Sequence, residues 1–201
     1  MNAHLFPIRE NDPLQFYWFN NGFSPEELNK IYTDLETVPF ERATTIGGDG
    51  TTNIENSVRR SNIKWIPKTE QWDWLYQRLM EYASEANDTL WHFDLVSSPE
   101  MIQYTEYDAN ELGHYDWHQD IGPGLASHRK VSLTVQLSGA NDYEGGHLQI
   151  WQGGTLESAL ISPRGAGNVV IFPSYMPHRV SPVTKGIRRS FVLWVGGAHY
   201  K

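Results

Sequence analysis

Two segments in the first half of the chain carry apolar residues at helical spacing, and most of the second half carries them at strand spacing. The first helical segment opens at Ser24-Pro25-Glu26-Glu27, where a capping serine precedes a proline at the first helical position. It continues through LNKIYTDLETV with apolar residues three and four apart, which predicts a helix from Pro25 to about Glu36. The second, Thr69 to about Asn87, has the same spacing through Trp72, Leu75, Leu79 and Tyr82. Between them, Thr44 to Ser57 (TTIGGDGTTNIENS) is rich in Gly, Thr and Asn and has no period, so it reads as a loop of lid length. VRRSNIKWIP, Val58 to Pro67, reads as a strand. From Leu90 onward short strands dominate: WHFDLV, MIQYTEY, KVSLTVQLS, GHLQIW, ALIS, NVVIF, HRVSPV and RRSFVLWVG, separated by Gly and Pro turns. Lys130 to Ser138 alternates Val131, Leu133, Val135 and Leu137 with Ser132, Thr134 and Gln136, which turns one face to a core and the other to a polar cavity. Two helices followed by many short strands predict a mainly β protein with flanking helices: a double-stranded β-helix, or jelly roll, with the N-terminal helices packed on one sheet.

Composition narrows the function classes. At 201 residues the chain has the length of one domain, 1–201, able to bury about 70% of its unfolded surface. The absence of cysteine excludes a disulfide framework, an iron–sulfur cluster and a thiolate nucleophile, so any metal ligand must be His or a carboxylate. MNAHLFPIRENDP has acids and prolines where a secretory apolar region would lie, and no stretch approaches the roughly 18 apolar residues of a membrane span. The expectation is a cytoplasmic protein without a membrane partner. A net charge of -8 with dispersed Lys and Arg disfavours nucleic acid, and an acidic surface suits a neutral or basic substrate.

The candidate chemistry lies in two short stretches. In an extended chain residues i and i+2 share a face, so His118 and Asp120 of His118-Gln119-Asp120 can point at one metal from a single strand. His178, 58 residues beyond Asp120, comes after an apolar run ending in Pro173 and can arrive from a distant strand. Two His and one carboxylate on one side of an octahedron make the facial triad of non-haem Fe(II) oxygenases, with three positions left open. Arg188, ten residues after His178, begins a buried strand and offers a fixed fork of donors for a carboxylate beside the metal. Arg189 is its competitor in an alternative register.

These residues resemble the Fe(II)/2-oxoglutarate-dependent dioxygenases, and within them the prolyl 4-hydroxylase-like branch, where H-x-D is followed about 50 to 70 residues later by a distal His and then a basic residue. The likeness covers roughly Phe23 to Trp194, through VRRSNIKWIP, IQYTEY, DYEGGHLQIW, GAGNVVIFPS and HRVSPVTKGIRRSFVLW, with the metal and cosubstrate core at about 101–196. The chain departs from the branch in a longer Tyr107 to Gly113 segment, in Ile121-Gly122 where Asn is common, and in Arg188 where collagen-type enzymes have Lys.

The resemblance implies Fe(II) held by His118, Asp120 and His178, with no catalytic side chain beyond these ligands. It implies 2-oxoglutarate anchored by Arg188 with Tyr107, Tyr115 and Gln136 nearby, O2 as second cosubstrate and ascorbate as an accessory reductant. It matches Trp194 to an aromatic lining the pocket; Arg59 and Arg60, beside the lid segment, are candidates to meet substrate. The implied reaction is hydroxylation at C4 of a prolyl residue in a peptide or protein, with succinate and CO2 as coproducts. The alternatives are hydroxylation of a free small molecule or another side chain, and a non-catalytic metal-binding jelly-roll sensor.

Other candidates have plainer roles. His114 and His118 have the spacing of a helical zinc pair in a segment that reads as strand, and His147 reads as a structural histidine. Gly145-Gly146 reads as a turn or bulge, and Tyr104, Trp117 and Trp151 as core or wall aromatics.

Overall fold

The computed structural model describes residues 15–46 and 51–198. Two antiparallel sheets face each other across a cavity, and two helices cover the outer face of the larger sheet. In that sheet the strands run Tyr17–Phe19, Val169–Pro173, Arg129–Gln136, Val183–Gly197, Ile102–Asp108, Asn62–Ile66 and Glu41–Arg42. Leu95–Ser97 and Tyr143–Gly145 pair with the two ends of the long strand Val183–Gly197. The smaller sheet has the order Leu160–Ile161, Leu148–Ile150, His178–Val180, His114–His118 and Arg59–Arg60. Neighbours in space come from distant parts of the chain, the crossing pattern of a jelly roll.

Helix α1 (Pro25–Leu35) begins in a full capping box: Ser24 Oγ accepts from the Glu27 N–H, and the Glu27 carboxylate accepts from the Ser24 N–H at 2.9 Å. Helix α2 (Glu70–Ala86) buries Trp72, Leu75, Leu79 and Ala83, then runs into a single π-helical turn, Asn87–Trp91, closed by His92 at φ 53°. Both pack on Ile102, Tyr104, Val131, Leu133, Val135, Phe191, Leu193 and Val195, all on one face of the larger sheet. Each such fully buried side chain contributes about 1.5–3 kcal/mol, so this layer anchors the sheet whose other face lines the cavity. No helix among the described residues is long and apolar enough to cross a membrane.

Three local expectations change. VRRSNIKWIP is not one strand: Arg59 and Arg60 pair with Tyr115 and His114 in the smaller sheet, and Asn62–Ile66 pairs with Ile102–Glu106 in the larger. Ser61 is the buried corner between them, and strands that switch sheets at such corners are a normal device of packed sheets. The lid segment contains a two-stranded hairpin, Thr45–Ile46 with Thr52–Asn53, while residues 47–50 of that segment lie outside the described residues. The last strand starts at Val183 rather than Arg188, because Lys185 and Gly186 pair with Glu144 and Tyr143.

Candidate active site

A cavity of about 570 Å³ opens between the sheets, and the period-two alternation of the strands decides what lines it. Along Arg129–Gln136 the Val131, Leu133 and Val135 side chains join the helix-side core, while Ser132 and Thr134 line the cavity. Along Val183–Gly197 the cavity receives Arg188, Ser190, Val192 and Trp194. Arg189 falls on the other face, where its Nε donates to Glu106 at 3.0 Å, so of the two arginines it is Arg188 that faces the cavity.

His118 and His178 lie directly opposite each other on neighbouring strands of the smaller sheet, and Asp120 comes just past the strand end after His118. His118 Nε2 is 3.7 Å from one Asp120 oxygen and His178 Nε2 is 3.5 Å from the other. The three donor atoms lie within 4.8 Å of one another, a set that can hold a metal ion. The tautomers follow from the backbone. His118 Nδ1 meets the Asp116 carbonyl at 2.7 Å and His178 Nδ1 meets the Met176 carbonyl at 2.9 Å. A carbonyl only accepts, so each Nδ1 carries the proton and each Nε2 presents a lone pair to the same point. Burial, reinforced by His178, pushes His118 down to about 3, which keeps its ring neutral and able to ligate. Burial alone would raise the Asp120 carboxyl, but His178, His118, Arg129 and the Ser132 hydroxyl together hold it below its ordinary value.

No motif in the sequence points to the supports of this carboxylate. Ser132 Oγ donates to Asp120 at 2.6 Å and lies 2.9 Å from Ser174 Oγ. The Asp120 N–H donates to the Ser174 carbonyl, and its own carbonyl accepts from Arg129 at 3.0 Å. Arg129 is held bidentately by Glu100 and stacks over Trp194 at 3.9 Å. Trp194 lines the cavity with a buried indole N–H that has no partner among the described residues.

Arg188 is 3% exposed, with its guanidinium 5.5 Å from the Tyr107 ring and a 3.3 Å hydrogen bond to Ser190. No carboxylate among the described residues pairs with it. Gly146, at φ 57°, makes room for it: a Cβ there would stand 3.1 Å from the Arg188 Cδ. Gly145 sits at a register shift against Val183, the bulge its glycine pair predicts. Tyr107 and Tyr115 both line the cavity, and the Tyr115 ring stacks on His118 at 3.5 Å. Arg59 lines it as well, buried against Tyr115. Two candidates are elsewhere. Gln136 lies beyond the cavity lining, with its amide donating to the Ser138 carbonyl at 3.3 Å, because its strand has run past the end of the cavity. Arg60 alternates outward from Arg59 and donates to the carbonyls of Asn56 and Glu111.

The 2OG-Fe(II) oxygenase superfamily model matches residues 102–196, the stretch that carries the three metal-ligand candidates and Arg188. A PKHD-type hydroxylase of Thermosynechococcus vestitus is 30% identical over 178 residues, 85% of this chain and 73% of that protein. This chain belongs to the 2OG-Fe(II) oxygenase superfamily. Solved structures with the same fold include a Trichoplax adhaerens prolyl hydroxylase in complex with a hypoxia inducible factor peptide, with TM-score 0.71, 18% identity and coverage of 91% of this chain and 84% of that one. A Pseudomonas putida prolyl-4-hydroxylase has TM-score 0.66, 19% identity and coverage of 92% and 93%. The oxygenase is thus an enzyme using Fe(II), 2-oxoglutarate and O2, and its His-Asp-His set, with both Nε2 lone pairs free, fits the metal.

Proposed function

We propose that this oxygenase hydroxylates C4 of a prolyl residue in a peptide or protein, with succinate and CO2 as coproducts. In this reading His118, Asp120 and His178 hold Fe(II), and Arg188 pairs with the far carboxylate of 2-oxoglutarate, with Tyr107 and Tyr115 as walls. The observation that carries the reading is the pairing, in one cavity, of three converging donor atoms with a buried guanidinium that lacks a carboxylate among the described residues. A buried cation without a counter-charge is costly, and a dicarboxylic cosubstrate supplies that charge on binding. When bound, the iron supplies the oxidising chemistry; the residues orient the cosubstrate and keep the donors deprotonated. Support for the prolyl substrate comes from the two fold relatives named as prolyl hydroxylases and from an aromatic cavity, with Trp65, Tyr115 and Trp194, open beside the Thr45–Ile46 and Thr52–Asn53 hairpin. An extended or polyproline segment fits such a cleft.

The test is incubation of a proline-rich peptide pool with Fe(II), 2-oxoglutarate and O2, read by mass spectrometry for the gain of one oxygen atom and by NMR for its position. Gain of oxygen on proline with matching succinate supports the reading. Iron-dependent succinate formation with oxygen placed only on other residues or on free small molecules overturns the prolyl assignment.

A further inference from the structure

Three arginines line the cavity, and among the described residues only one of them has a carboxylate partner. Arg129 is clamped by Glu100. Arg188 is, in the proposed function, reserved for the cosubstrate. Arg59, 7% exposed, is the third. Its partners are all uncharged: Nε donates to Ser61 at 2.9 Å, Nη2 to the Gln103 side-chain oxygen at 2.7 Å and Nη1 to the Thr44 carbonyl at 3.5 Å, with the Tyr115 ring 4.6 Å away. No carboxylate among the described residues pairs with it. Gln103 is itself held, accepting from Thr105 at 3.2 Å, so the guanidinium is fixed while part of its donor fork stays free.

The charge balance points the same way. Among the described residues the charged side chains lining the cavity are Arg59, Arg129 and Arg188 against Glu100 and Asp120, one net positive charge with the histidines neutral. Fe(II) and the 2-oxoglutarate dianion cancel each other, so the loaded cavity keeps that positive charge. The chain as a whole carries -8. The excess lies beside the reaction centre: Arg59 stacks on Tyr115, and Tyr115 stacks on His118 at 3.5 Å. One aromatic ring therefore separates the guanidinium from a metal ligand, a distance comparable to the step of about 3.8 Å per residue along an extended peptide with its side chain added.

We propose that Arg59 recognises a carboxylate of the substrate, borne by the residue next to the one hydroxylated or by the substrate's own chain terminus. This rests on the proposed function in assigning Arg188 to 2-oxoglutarate. It replaces the neutral or basic substrate that the net charge of the chain implies, because a ligand inside the cavity meets the local charge first.

The experiment measures binding without turnover: the enzyme loaded with Fe(II) and 2-oxoglutarate under nitrogen, titrated with short peptides and monitored by the fluorescence of Trp65 and Trp194, which line the cavity. The peptides carry Pro or Ala at the centre, Glu, Gln or Lys beside it, and a free or amidated C-terminus. A carboxylate in at least one of the two positions tightens binding by about tenfold, the size of one charge-assisted hydrogen bond. The flanking Glu and the free terminus tell the two sources apart. Arg59→Gln removes the preference. So does Gln103→Glu, a near-isosteric change that places an internal carboxylate on the same guanidinium and stands in should the first variant fail to fold. Equal binding of acidic and amidated peptides overturns the proposal, as does a preference that survives in either folded variant. Proline-dependent binding with no acid preference removes this inference and leaves the prolyl reading; acid preference without proline dependence does the reverse.

Discussion

The two faces of the larger sheet are built from the same strands by alternate residues, yet they answer to different demands. On the helix side, Val131, Leu133, Val135, Phe191 and Leu193 form a dry layer within the apolar core. On the cavity side, at alternating positions of the same strands, are Ser132, Thr134, Arg188 and Ser190, all buried and polar. The first face is apolar and is covered by the two helices. The second is not: among the described residues Arg188 carries charge with no carboxylate partner and the Trp194 N–H has no acceptor. A sheet stabilised on one side tolerates unsatisfied groups on the other, and those groups mark where ligands complete the structure.

Substitutions on the two faces should therefore separate stability from chemistry. The largest effect is expected from Asp120→Ala, which removes the carboxylate while keeping the backbone bonds of residue 120 to Ser174 and Arg129. Iron-dependent succinate formation should fall to background, with the thermal midpoint little changed; full turnover in this variant would remove Asp120 from the site. On the opposite face, Leu193→Ala should cost about 2–5 kcal/mol in denaturant unfolding, because Leu193 is fully buried against the helix layer. Its turnover per folded molecule should stay near wild type.

Arg188→Ala comes next. Losing one charge-assisted carboxylate pair corresponds to about 1.5–3 kcal/mol, so the concentration of 2-oxoglutarate needed for half-maximal rate should rise by roughly 10- to 150-fold. The ligand-free protein should be no less stable than wild type, since a buried uncompensated cation is removed. A drop in stability without a change in cosubstrate requirement would make Arg188 a structural residue.

How much of the site is legible in the sequence depends on the range of the interactions. His118 and Asp120 need only the strand period, and Arg188 over Arg189 needs only parity, both local rules. The capping box of α1 and the Gly145 bulge are likewise written in adjacent residues. Gln136 falls outside its expected place because alternation gives the face of a strand but not where a cavity ends along it. Arg59 and Arg60 are alike in sequence and opposite in role, since the corner at Ser61 decides which one turns inward. The clamp of Arg129 by Glu100 and the contact of Ser132 with Ser174 join residues 29 and 42 positions apart and leave no periodic trace. In those contacts the fold, rather than any motif, brings the partners together.

The smallest effects sharpen the comparison within the cavity face itself, where Ser132 and Thr134 are two hydroxyls on one strand with different obligations. Ser132 donates to the metal-side carboxylate, whereas Thr134 Oγ1 donates at 2.9 Å to the Phe191 carbonyl of the neighbouring strand. Groups that orient a metal ligand typically affect affinity by about 10- to 100-fold, so Ser132→Ala should weaken iron binding by that order with little change in the unfolding midpoint. Thr134→Val keeps the shape and loses one neutral hydrogen bond, worth about 0.5–1.5 kcal/mol of stability, and should leave iron affinity unchanged. Titration of Fe(II) into both variants, alongside urea unfolding of each, decides the point. If the two substitutions behave alike, the polar character of the cavity face is a uniform property of the sheet; if they divide as their partners do, polarity there is allotted residue by residue, part to the fold and part to the metal.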